Sequence, residues 1–230
     1  MYQNNQQHQF PNHQIQSQQQ KSKNTEMNSQ QEYIKYTVRQ DFLNVIGIAV
    51  DYNTVLEKFQ NDTKQDELLK VMQNRLILQV NLSNSIHSDL YHQFKNSPNM
   101  QQLLKAEKEQ AKKNLKLLDQ EKFYQATIVL LKKYEENCLV DQPIIKHEAL
   151  NLITCQPQFN PETIGKVIGS INTTDQKYQD IQNGKFETEE LSKETIFKYI
   201  DERKQNAKMK LNNNPSQESN FGLDCGCQLI

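Results

Sequence analysis

From Pro98 to Leu139 the chain runs forty-two residues without a glycine or a second proline, and this freedom from helix breakers constrains the fold more than any other feature. Ser97 is placed to accept a hydrogen bond from a free amide of a first turn, and Pro98 falls where its missing N–H costs nothing. Met100, Leu103, Leu104, Ala111, Leu115, Leu118, Tyr124, Ile128, Leu131, Tyr134 and Cys138 recur mostly three, four or seven apart. That spacing predicts a single long helix with an apolar stripe. Between the apolar positions, Lys105 to Lys113 interleaves Lys with Glu so that opposite charges fall within a turn of each other. A rod of this kind keeps its charged face in water and needs a partner for its stripe.

The rest of the composition agrees with a mainly helical class. Of the 230 residues, 35% are apolar, six are Gly, six are Pro and none is Trp. That is too little punctuation for an all-β or Rossmann chain, and too little apolar content for a thick globular core. A formal net charge of -1 and a pI near 6.5 exclude a domain held to nucleic acid by a phosphate-binding excess of Lys and Arg. The apolar runs, around Val45–Val50 and Ala126–Leu131, are far shorter than the roughly 20 residues of a membrane span. The four cysteines form no spaced framework and the polar start resembles no signal sequence, so a reducing, cytoplasmic setting is expected.

Four regions follow in order. In residues 1–31, sixteen positions are Gln or Asn, a composition that predicts disorder. Residues 32–95 carry a helical pattern from Glu32 to Gln60, apolar on nearly all sides between Leu43 and Val50 and weakened by Gly47, then a second helix from about Lys64 to Phe94. Residues 96–211 begin with the long helix and continue through a loop with a short helix near His147–Ile153. There Phe159-Asn160-Pro161-Glu162-Thr163-Ile164 is a strong helix start: Asn160 as N-cap, Pro161 in the first position, Phe159 stapled to Ile164. Its stripe is Ile164, Ile168, Ile171, Tyr178 and Ile181, and Asn183-Gly184 is a stop. A last helix, from about Thr188 to Lys210, ends in basic residues that suit its dipole. Residues 212–230 form a flexible tail.

No catalytic constellation is present in the sequence: no glycine-rich phosphate loop, HExxH, GxSxG or acidic metal loop. Neither an enzymatic activity nor a cofactor is expected. Cys138, His147 and Cys155 lack the close pairing that preorganises zinc, and His87 and His92, five apart on a helix, read as surface or interface residues. The final Cys227-Gln228-Leu229-Ile230 fits a C-a-a-X prenylation signal, with Cys225 available for a second acyl chain.

Three passages, taken in order, resemble the Mod(r) domain of the vacuolar protein sorting-associated protein 37 family, a subunit of the ESCRT-I complex. Ala111-Lys112-Lys113-Asn114-Leu115 and Lys133-Tyr134-Glu135-Glu136, after the Ser97-Pro98 step, resemble the family's ascending helix. Phe159 to Ile164 is similar to its Phe-Ser-Pro-x-x-Ile motif. Ile181-Gln182-Asn183-Gly184-Lys185-Phe186, followed by Phe197 to Lys204, resembles its closing glycine turn and basic helix. The resemblance implies an elongated helical hairpin with disordered tails, acting as a non-enzymatic scaffold in the sorting of ubiquitinated cargo to multivesicular bodies. It also implies helical contacts with other ESCRT-I core subunits at Leu104, Leu118, Ile128, Leu131, Ile164, Ile168, Ile171 and Phe197, peripheral on the endosomal membrane and without nucleic acid. The competing expectation is a prenylated coiled-coil tether or cytoskeletal adaptor unrelated to ESCRT.

Overall fold

The computed structural model describes residues 12–59, 65–121, 127–142, 179–181, 183–185 and 187–213, and among these it is all-α, with no strand. Five helices carry the architecture: α1 (Asn12–Lys58), α2 (Gln65–Gln93), α3 (Pro98–Gln120), α4 (Ile128–Cys138) and α5 (Lys193–Asn213). Helix α1, 47 residues and so about 70 Å long, is the axis. Ile34, Val38, Phe42, Val45, Ile46 and Ala49 form its inner stripe, and Ile48 and Val50 extend the burial around the helix. It is apolar on several sides because α2, α3 and α5 all pack on it.

Directions follow from which side chains meet. Helix α2 runs against α1: Val55 packs with Leu68 and Met72 at one end, while Ile34 and Val38 pack with Leu90 and Phe94 at the other. Helix α3 runs with α1, placing Met100 and Leu104 beside Ile34 and Val38, and Ala111, Leu115 and Leu118 in the central cluster with Phe42, Ile46 and Leu76. The last segment also runs with α1 along its length. Ser29 donates to the Ile181 carbonyl, Thr188 bonds Glu32, Arg203 meets Asp51, and Lys58 meets Asn212.

The structure corrects the expected long rod. Helix α3 ends at Gln120, α4 begins at Ile128 after Thr127, and the two fold back on each other. Lys108 Nζ donates to the Val140 carbonyl at 2.9 Å, whereas a continuous helix would hold those residues about 48 Å apart. Ser97 occupies the N-cap with an extended backbone, but its side chain makes no cap bond; its carbonyl accepts from Gln101 N at 3.0 Å. Pro98 stands at the start of the helix, as expected. Of the Gln-rich stretch, residues 12–31 lie within the bounds of α1.

Two glycines have definite work. Gly184 adopts φ +68°, its N–H bonding the Ile181 carbonyl while Lys185 N bonds Asp180 O. This is the paired-bond helix stop expected of Asn183-Gly184. At Gly47 the reason is close approach: a Cβ there would lie 2.5 Å from Tyr199 Oη and 3.7 Å from Arg203 Nε. The glycine that weakens α1 by about 1 kcal/mol relative to Ala leaves room for the Tyr199 hydroxyl of α5. The short helix near His147 and the start at Asn160-Pro161 lie outside the described residues.

Candidate functional site

Midway along α1, Asp41 is buried and accepts four side-chain hydrogen bonds. Its Oδ1 takes Ser83 Oγ at 2.5 Å and Gln79 Nε2 at 3.3 Å, and its Oδ2 takes His87 Nε2 at 2.8 Å and Tyr134 Oη at 3.1 Å. Helix periodicity assembles this: Gln79, Ser83 and His87 are four apart and project from one face of α2. Asp41 therefore joins α1, α2 and α4 through a single carboxylate. Contact with the carboxylate requires the proton on His87 Nε2. His87 is completely buried, which corrects the surface reading of that residue; His92 is exposed, as expected.

Beside Asp41 lie Tyr134 and Cys138, and Lys108 acts on Cys138 in turn, all three at most 1% exposed. Burial, and then the negative charge of Asp41, pushes the Tyr134 phenol well above its ordinary range. The Cys138 thiol is pushed up for the same two reasons and donates to the Val80 carbonyl at 3.2 Å. A thiol so protected stays protonated and is no nucleophile. Burial acts on Lys108 in the other direction, lowering its pKa to about 8.

That lowering has a signed consequence. An unfolded lysine holds its proton to its ordinary 10.5 while folded Lys108 releases it near 8. Between those values the unfolded chain binds more protons, so rising pH favours folding by up to about 1.4 kcal/mol per unit. From pH 9 the raised Cys138 opposes this, because the unfolded thiol ionises there and the folded one does not. Urea unfolding midpoints are expected to climb from pH 8 to 9 and then flatten, and the Lys108→Met chain should lose the climb. A wild-type midpoint that stays level across that interval would contradict the assignment.

Two ion-pair clamps complete the polar framework. Arg39 is bidentate to Glu107, at 2.8 and 2.7 Å, and its Nη1 also donates to the Thr188 and Glu189 carbonyls. Arg203 is bidentate to the buried Asp51, at 2.9 and 2.6 Å, with Arg75 Nη1 at 3.7 Å from the same carboxylate. The Asp51 hydrogen bonds raise the Arg203 pKa further. Every helix thus has at least one charged or hydroxyl-bearing side chain tied into a neighbour, a pattern that fixes register more than it adds stability.

Among the expected contact residues, Leu104 packs with Ile34, Val38, Leu90 and Phe94, and Leu118 and Leu131 lie in the central cluster. Their partners belong to this chain: α1, which sequence reading did not pair with them, covers much of the stripe. Ile128 and Phe197 are half-buried against the same cluster. Ile164, Ile168, Ile171, Cys225, Cys227, His147 and Cys155 lie outside the described residues. Among the described residues no group of acidic, His and Cys side chains is placed to hold a metal, and no helix is long and apolar enough to cross a membrane. The Asp41 centre was missed because its parts are far apart in sequence. The available signal was Ser83-Asn84-Ser85-Ile86-His87-Ser88, a polar run inside an otherwise amphipathic helix. Comparison of the chain with protein-family models, with curated proteins and with solved structures finds no match.

Proposed function

We propose that this chain is a helical scaffold that works by binding other proteins, and that it serves as a subunit of ESCRT-I akin to the vacuolar protein sorting-associated protein 37 family. The observation that supports the scaffold role is the use of the buried ionisable groups. Asp41, Asp51, Glu107 and Lys108 are each held by a partner on another element. Tyr134 and Cys138 are kept protonated by burial. These groups link helices. The finer reading rests on the ordered resemblance of the 97–136, 159–164 and 181–204 passages. In that reading the partners are the other ESCRT-I core subunits, the place of action is the endosomal surface, and the cargo is ubiquitinated.

Because Leu104, Leu118 and Leu131 are inside the fold, truncating them would cost about 2–5 kcal/mol each through cavity formation and would not report on partners. Ile168 is the position to test. A tagged full-length chain is expected to co-purify with ESCRT-I core subunits, and Ile168→Asp is expected to abolish that while leaving the helical circular dichroism unchanged. Co-purification without any ESCRT-I subunit would overturn the proposal. Cys227-Gln228-Leu229-Ile230 favours a second reading, the prenylated tether or cytoskeletal adaptor; a prenyl mass on Cys227 together with partners outside ESCRT-I would establish it.

A further inference from the structure

Helix α2 carries an unusual polar stretch. Ser83, Asn84, Ser85, His87 and Ser88 are all buried, so that only Ile86 interrupts a buried polar run. Asp41 accounts for Ser83 Oγ and His87 Nε2. Asn84 Oδ1, His87 Nδ1 and Ser88 Oγ, by contrast, are buried with no hydrogen-bond partner. The described residues hold three such side-chain atoms, and all three fall within one turn of this helix. Buried polar atoms are nearly always bonded, to protein or to internal water. Three orphans on a single turn point to one common cause.

Helix geometry makes these residues neighbours. Positions 84 and 87 are three apart and 84 and 88 four apart, so Asn84 shares a face with each, their Cβ atoms about 5–6 Å from its own. Side chains on a helix lean toward its N-terminus, which tips His87 and Ser88 back over the turn that bears Asn84. Even so, none of the three orphaned atoms bonds another. Polar groups that are adjacent but do not bond directly are spanned by one small molecule, through hydrogen bonds of about 2.8 Å.

The chemistry of the atoms selects the molecule. Asn84 Oδ1 only accepts. His87 Nδ1 accepts as well, because in the neutral ring the one proton sits on Nε2, facing Asp41 at 2.8 Å. Ser88 Oγ can donate or accept. Two acceptors and a hydroxyl are complemented by two donors and an acceptor on a single atom, which describes water. An ammonium ion has no acceptor for the Ser88 proton and would bring in a charge that none of the three groups neutralises. A metal ion fits no better, with neither carboxylate nor thiolate among the donors.

We propose that Asn84, His87 and Ser88 form a binding site for one internal water, which donates to Asn84 Oδ1 and His87 Nδ1 and accepts from Ser88 Oγ. The water extends the Asp41 centre by a further turn along α2. It also acts on His87, because a donor at Nδ1 favours the tautomer with its proton on Nε2, the one that the bond to Asp41 requires. Asn84 and Ser88 thereby support the Asp41 bond through the water and the imidazole ring.

The test uses the full chain labelled with nitrogen-15, and the probe is solvent water itself. Long-range proton–nitrogen spectra are expected to show His87 protonated at Nε2, with Nδ1 displaced from the position of a free neutral imidazole toward that of a hydrogen-bonded acceptor. The ring proton beside Nδ1 should show a direct dipolar contact with long-lived water. In Asn84→Leu, which keeps the volume and removes one acceptor, both signals should weaken. Urea unfolding gives a second readout: the combined effect of Asn84→Leu and Ser88→Ala on the unfolding constant should differ about fivefold from the product of the single effects, because both disturb one water. A missing water contact in the wild type, an Nδ1 position unmoved by Asn84→Leu, or independent effects of the two substitutions would each overturn the proposal. So would an Nδ1 resonance that follows added ammonium chloride or EDTA, which would mark a cation as the occupant. The wild-type spectra decide the matter even if a variant does not fold.

Discussion

Asp41→Ala is expected to be the most damaging single substitution in the described residues, lowering unfolding free energy by about 3–5 kcal/mol, the usual cost of removing one partner from a buried charged network. The reason is the number of groups stranded at once. Ser83, Gln79, His87 and Tyr134 all donate to this carboxylate, and three of the four are buried. Each buried donor left unpaired costs about 1–3 kcal/mol. The sum overshoots the expected total because relaxation and entering water recover part of it. In a chain of this length the change corresponds to a melting temperature lower by on the order of 10 °C. Ser83→Ala removes one bond and should cost roughly 1 kcal/mol. If urea denaturation puts Asp41→Ala within about 1 kcal/mol of wild type, the carboxylate is not the hub that its geometry implies.

The second large effect is expected at Asp51. Its carboxylate is bidentate to Arg203 and lies within 3.7 Å of Arg75, so Asp51→Ala leaves two guanidinium groups facing each other with no anion between them. A loss of about 3–5 kcal/mol is again the scale, but the damage should be directional. It should free α5 from α1, visible as lost amide protection across residues 193–213, before α2 and α3 are affected. Arg203→Ala should be milder than Asp51→Ala, because Arg75 remains beside the carboxylate. Should the order of the two variants be reversed, Arg75 does not share the site. Neither experiment depends on the identity of any partner.

How far the fold could be read depended on whether a residue's fate was settled by its neighbours in sequence. The α2 boundaries, the Pro98 start and the Gly184 stop are local matters, and all are seen in the structure; the apolar Leu43–Val50 stretch is buried throughout from Val45 to Val50. The break between α3 and α4 is not local. Nothing between Gln120 and Ile128 interrupts a helical pattern, and the fold-back is set by what Lys108, Tyr134 and Cys138 find on other helices. For the same reason Glu107 and Lys108 read as part of a solvated face. Their partners are Arg39, 68 residues before Glu107, and the backbone of Val140. At the edge of the Gln-rich start, Ser29 bonds the Ile181 carbonyl, 152 residues later, a contact that composition alone does not show. The surface or interface reading of His87 fails because spacing alone cannot show that Asp41 lies opposite it.

The parallel course of α1 and the final segment has a consequence for synthesis. Arg203 lies 152 residues after Asp51 and Asn212 lies 154 after Lys58, so α1 emerges from the ribosome long before the surfaces that cover one side of it. At typical elongation rates the interval is roughly 10–30 s, during which Val45, Ile46 and Ala49 have α2, α3 and then α4 for shelter but not α5. Helix α1 is made long before α5 and is among the last to be covered, and a nascent chain stalled before residue 193 would present the α5 face of α1, around Gly47 and Asp51, to chaperones or to another copy of itself.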